Sequence, residues 1–132
     1  MFELINLLYI WLAWCGLHLL AMLFARPNQP SFNGFRVMVP PRLTELLTEE
    51  ELLAIFLHEY GHRHHWHIWK NYALVCCFLH ASPERRQRQE LEADDFAAAH
   101  GARLDLASAL RKLSPHATDI MRAQRLELKC VI

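Results

Sequence analysis

The chain has no excess of charge of either sign, with fourteen basic side chains against fourteen acidic ones. Bulk electrostatics therefore provide no nucleic-acid surface, and no nucleic-acid partner is expected. There is no C-x-x-C pair. Cys15, Cys76, Cys77 and Cys130 include two adjacent residues, a poor start for a disulfide framework or a zinc knuckle. They read as small apolar residues of a reducing compartment. Internal repeats and low-complexity tracts are also missing. Ahead of the first apolar run the only charge is Glu3, and without a basic leading segment that run does not read as a cleaved signal peptide. A chain of 132 residues is expected to form one domain with a modest core.

A long hydrophobic run is present. From Leu4 to Ala25, "LINLLYIWLAWCGLHLLAMLFA" carries no formally charged side chain, and as a helix it can cross a hydrocarbon core of ~30 Å. Tyr9, Trp11 and Trp14 lie nearer one end, where amphipathic rings favour the interface. This gives a transmembrane anchor over residues 1–26, in contact with lipid through residues 4–25, and a second unit over 27–132. Arg26, Arg36 and Arg42 all follow the run, so the positive-inside tendency places that unit in the cytoplasm.

Beyond the anchor, "RPNQPSFNGF" reads as a linker or turn, and "FRVMVP" alternates as a short edge strand from Phe35 to Val39. Thr48 and Glu51 have the capping-box spacing, so the histidine-rich run "LHEYGHRHHWH" is expected on a helix starting near residue 49. Residues 68–81 are apolar but short for a span, which points to a buried or interfacial helix, with a second membrane crossing or a re-entrant hairpin as the other reading. Ser82-Pro83-Glu84 opens a helix that should run to about His100, closed by Gly101. Two further helices follow, over Asp105–Leu113 and from Ser114 onward, the last polar and loosely held.

His58-Glu59-Tyr60-Gly61-His62 is H-E-x-x-H. Histidines four apart share one helix face and can offer two imidazole nitrogens to one Zn²⁺, while Glu59 can take a proton from a water as general base. A catalytic zinc needs a third protein ligand, and "QELEADDFAAAHG" supplies the candidates. Glu90, Ala93, Asp94 and Ala97 form one stripe at i, i+3, i+4 and i+7, whose alanines permit close helix approach, whereas Glu92 points elsewhere with Phe96 and Ala99. Glu90 is therefore the expected third ligand, and Asp94 the acceptor that orients a ligand histidine.

With these elements in place, Asn33–Leu113 resembles the core of the membrane zinc endopeptidases of the HtpX and CAAX-prenyl-protease kind, and more distantly the BlaR-type antirepressor proteases. The matching segments are "NGFRVMVPPRL", "LTEEELLAIFLHEYGHRHHWH", "QELEADDFAAAHG" and "ASALRKL". The resemblance implies a gluzincin in minimal form, with Glu90 as third ligand and Asp94 as the motif aspartate. It also implies an active-site edge at Phe35, Arg36, Val37, Met38 and Val39, where an extended protein or peptide substrate would add as a strand. Family members continue further after the third-ligand helix, so a protein partner could complete the substrate cavity here. The family's oxyanion-steadying residue has no motif match; His64, His65, His67, His80 and His116 are its candidates. His64, His65 and His67 otherwise read as a polar, interface-seeking helix end beside Trp66 and Trp69.

The expected fold is thus mostly α with a small β edge (α+β), a zincin-like H-E-x-x-H helix packed on a third-ligand helix, and an N-terminal membrane helix. The expected function is a zinc metalloendopeptidase with one Zn²⁺ per chain, acting through a zinc-activated water. The alternatives are a non-catalytic metal-binding membrane protein that regulates a partner, and a pH-sensing interaction protein. Glu59 favours the enzyme, because a binding module needs no base.

Overall fold

The computed structural model describes residues 2–25 and 28–128, so Arg26 and Cys130 lie outside the described residues. The chain folds into α1 (Phe2–Phe24), β1 (Ser31–Phe32), β2 (Val37–Met38), α2 (Arg42–Leu46), α3 (Glu49–His64), α4 (His67–Cys76), α5 (Pro83–Ala99), α6 (Arg103–Leu113) and α7 (Ala117–Leu128). This is the expected mostly helical architecture with a small two-stranded sheet.

Within α1, Glu3–Phe24 is long and apolar enough to cross a membrane. Its indoles do more than seek an interface. Trp14 Nε1 donates to the Val75 carbonyl at 2.9 Å, which also accepts from the Phe78 amide, and Trp11 Nε1 donates to the Cys76 carbonyl at 2.7 Å just beyond the last paired turn of α4. Tyr72 of α4 returns a hydrogen bond to the Cys15 carbonyl at 2.9 Å. The apolar segment after the histidines is thus a helix bound to α1 by three long-range hydrogen bonds.

The sheet departs from expectation. Part of the presumed linker is β1, paired antiparallel with β2 in the register Ser31↔Met38 and Phe32↔Val37. Only Val37 and Met38 of the 35–39 segment form a strand. The cause is local, since Asn-Gly makes a hairpin turn as readily as a linker. Asn33 Oδ1 accepts from the Phe35 and Arg36 amides at 3.1 and 2.9 Å, and Gly34 takes φ +93°.

α3 and α5 pack so closely that a Cβ on Gly61 would stand 2.8 Å from Ala93 Cα. Ala93 and Ala97 are fully buried in this seam, as their stripe implied. Thr48 and Glu51 form the capping box that starts α3. Glu51 also accepts from Ser108 Oγ at 2.6 Å and from Lys112 Nζ at 2.7 Å, which fixes the start of α3 to α6. Leu43, Leu47, Ile55, Leu106, Leu110 and Leu126 fill the core among α2, α3, α6 and α7. The last helix is therefore not loosely held: Ala123 and Leu126 are enclosed and seat it on α6.

The histidine run does not continue as one helix. α3 ends at His64, Trp66 adopts a left-handed backbone with φ 60°, and α4 starts at His67. This break turns His67 back into the protein, where it is 2% exposed. It is therefore not part of a polar, interface-seeking helix end.

Candidate metal centre

H-E-x-x-H spacing on α3 and the close approach of α5 bring three side chains together. His58 Nε2 lies 3.2 Å from His62 Nε2 and 3.4 Å from Glu90 Oε2, and His62 Nε2 lies 3.5 Å from Glu90 Oε1. Tetrahedral zinc with bonds of ~2.0–2.1 Å separates its donors by about 3.3–3.4 Å. Two imidazoles and a carboxylate at these separations fit that ion in both chemistry and geometry.

A surrounding set of residues holds these three. Asp94, fully buried on α5, places Oδ1 3.0 Å from His58 Nδ1, a close contact that is not aligned as a hydrogen bond. Arg122 on α7 grips both Asp94 oxygens at 2.8 and 2.7 Å and reaches Glu90 at 3.1 Å and Asp119 at 3.1 Å. On the other side, His62 Nδ1 lies 2.9 Å from His67 Nδ1, and His67 Nε2 lies 2.7 Å from Glu92 Oε2. If His62 Nε2 gives its lone pair to a metal, Nδ1 must carry the proton. His67 Nδ1 then accepts, and His67 Nε2–H donates to Glu92. Proton counting therefore gives the chain a single direction, from His62 through His67 to Glu92.

The charges follow from these neighbours. Burial disfavours a charged His58, but Asp94 and Glu90 outweigh it and hold the imidazole up to about 9. Burial, helped by a cationic His58, pushes His62 down to about 4. Burial opposes ionisation of Glu90 and Asp94 as well, yet His58 beside the first and Arg122 beside the second keep both at about 2. Burial pushes Glu59 up to about 7.

These residues border a cavity of about 520 Å³, with His58, Glu59, His62 and Glu90 on one side and His116, Asp119 and Arg122 on the other. Its rim on the sheet side is Gln29, Pro30, Ser31 and Phe32. None of Phe35, Arg36, Val37, Met38 and Val39 lines it; Phe35, Arg36 and Val37 border a separate cavity of about 290 Å³ with Phe56, Tyr60 and Arg63. On the sheet side the metal cavity is therefore lined by β1 and not by β2. Of the five histidines considered for the oxyanion, His67 and His116 line the metal cavity, while His64, His65 and His80 do not.

The periodicity reading of α3 and α5 contains no signal for His67, Glu92 as its partner, or Arg122. Glu92 does lie off the Glu90 stripe, and that offset is what lets it meet His67 from the side. For Arg122, the available cue is the amphipathic spacing of Ala123 and Leu126, which marks α7 as a packed helix.

Fold and site together define an H-E-x-x-H helix facing a carboxylate-bearing helix across a candidate metal site. Residues 29–84 match the model of peptidase family M48. The match takes in both strands, the H-E-x-x-H helix and α4, covers less than half of the chain, and ends before Glu90. It supports a metallopeptidase of that family, whose members depend on zinc. Comparison with curated proteins and with solved structures gave no match.

Proposed function

We propose that the chain is a membrane-anchored zinc endopeptidase, with residues 1–26 as the anchor and 27–132 as the catalytic unit on the cytoplasmic side. The observation that carries this reading is the triangle of His58, His62 and Glu90, with Glu59 beside it in the same cavity. A bound zinc ion would supply Lewis acidity, polarising the scissile carbonyl and acidifying water.

The chain's own residues supply the remaining chemistry. Glu59 accepts the proton of the attacking water and later passes it to the leaving amine, and its burial, which raises its pKa, favours taking up that proton. Asp94, held by Arg122, and Glu92, acting through His67, orient the two histidines. The peptide lies extended along β1, whose Ser31 and Phe32 line the cavity and whose Phe32 amide hydrogen-bonds the Glu59 carboxylate in the metal-free chain. His116, exposed on the α6–α7 connection and lining the cavity, is placed to donate to the oxyanion. The HtpX-like resemblance supports the peptidase reading, although it assigns no motif position to His116, and a protein partner closes the cavity over that residue.

The test is to incubate zinc-loaded full-length chain in detergent with unstructured polypeptides and detect new N-termini by mass spectrometry. Cleavage is expected from the unaltered chain, and Glu59→Gln should keep its zinc but lose roughly 100-fold or more of the rate. Equal cleavage by Glu59→Gln would contradict the role given to that residue.

A further inference from the structure

Beside the first triangle stands a second group of donors, on the α3–α4 turn, the start of α4 and α5. His65, His67 and Glu92 each offer one ligand atom, and these atoms lie within 4.8 Å of one another. His67 Nε2 is already 2.7 Å from Glu92 Oε2, and the His65 ring stacks on that of His67 at 5.4 Å with 15° between the planes. The donor set is again two imidazoles and a carboxylate. Glu92 is exposed and His65 half-buried, so an ion can enter from solvent although His67 is enclosed. Lys70 acts on both His67 and Glu92 and lowers the affinity of such a site for a cation.

We propose that His65, His67 and Glu92 form a second, weaker zinc site whose filling opposes retention of zinc at the first. The proposal rests on the reading of His58, His62 and Glu90 as a zinc site, and its coupling follows from the proton count. With metal on His62 Nε2, the proton between His62 and His67 belongs to His62, and His67 Nδ1 accepts it. A metal on His67 Nε2 requires that lone pair, so the remaining ring proton of His67 moves to Nδ1. Two N–H groups would then face each other across the 2.9 Å now separating the nitrogens. The His62–His67 hydrogen bond breaks, and His62 loses the partner that holds its Nε2 toward the first metal. Loss of such an outer partner typically weakens metal binding by roughly 10–100-fold. Excess zinc thus acts as a brake on the enzyme.

The test uses full-length chain in detergent, zinc alone as ligand, buffered free zinc and elemental analysis of the bound metal. The unaltered chain should take up two zinc ions, the second at least about 10-fold weaker than the first. His65→Ala should keep the tight ion and lose the weak one, and His65→Asn should repeat this with less change in side-chain size. With the tight site preloaded with one zinc isotope, its exchange should accelerate several-fold as free zinc fills the second site in the unaltered chain, and stay constant in His65→Ala. One zinc per chain at saturation, a weak ion that survives both His65 variants, or an exchange rate indifferent to free zinc would each overturn the proposal. His58→Ala separates the two claims: it should remove the tight ion and leave the weak one, and a tight ion that survives it would refute the reading of the first site instead.

Discussion

Between them, His58 and His62 carry one positive charge in the metal-free chain near neutrality, one proton more than two neutral imidazoles. Asp94 and Glu90 keep it on His58 against the effect of burial, while burial and the neighbouring His58 charge leave His62 neutral. Zinc must displace the His58 proton. Because that histidine stays protonated up to about pH 9, apparent zinc affinity should rise as pH increases toward that value, by about tenfold per unit, and uptake near neutrality should release about one proton. Competition with a chromophoric chelator at two pH values measures this, and a pH-independent affinity would contradict it. Arg122 makes a second residue-scale case. Asp94 is fully enclosed, and Arg122 is the cation on both of its oxygens, so Arg122→Met leaves a buried carboxylate with only His58 beside one oxygen. The expected loss is about 3–5 kcal/mol of stability in urea unfolding. A loss below about 1 kcal/mol would show that Asp94 neutralises or finds water instead.

At the scale of elements, the site depends on how closely α5 lies against α3. Gly61→Ala puts a methyl group 2.8 Å from Ala93 Cα, backbone that cannot move without displacing α5 and with it Glu90. Thermal unfolding should show a cost of about 1–3 kcal/mol, accompanied by weaker zinc binding; an unchanged melting point and zinc affinity would mean that the seam is not under this constraint. The same seam explains what the sequence reveals. The helical period brings Glu90, Ala93, Asp94 and Ala97 to one face, and the alanines there mark a helix contact, so both ligand-bearing helices can be read in advance. His67 cannot, because its position follows from a left-handed Trp66 that no glycine or asparagine announces. β1 is hidden because Asn33-Gly34 sits in a proline-containing stretch that reads equally well as a linker. The grip of Arg122 on Asp94 spans 28 residues, beyond the reach of any local pattern.

For the whole molecule, the metal centre is where separate packing units meet. α3 and α5 provide the donors, α7 steadies them through Arg122, and α4 reaches His62 through His67 while bound at its far end to α1. An ion at His58, His62 and Glu90 would tie α3 to α5 and so stabilise the fold globally. At free zinc ~100-fold above the dissociation constant, the expected gain is about 2.7 kcal/mol. The most direct measurement is the urea unfolding free energy with and without zinc for the unaltered chain, Glu59→Gln and Glu90→Ala. Zinc should stabilise the first two alike and Glu90→Ala far less. Equal stabilisation of Glu90→Ala, or none in the unaltered chain, would contradict the three-ligand zinc site.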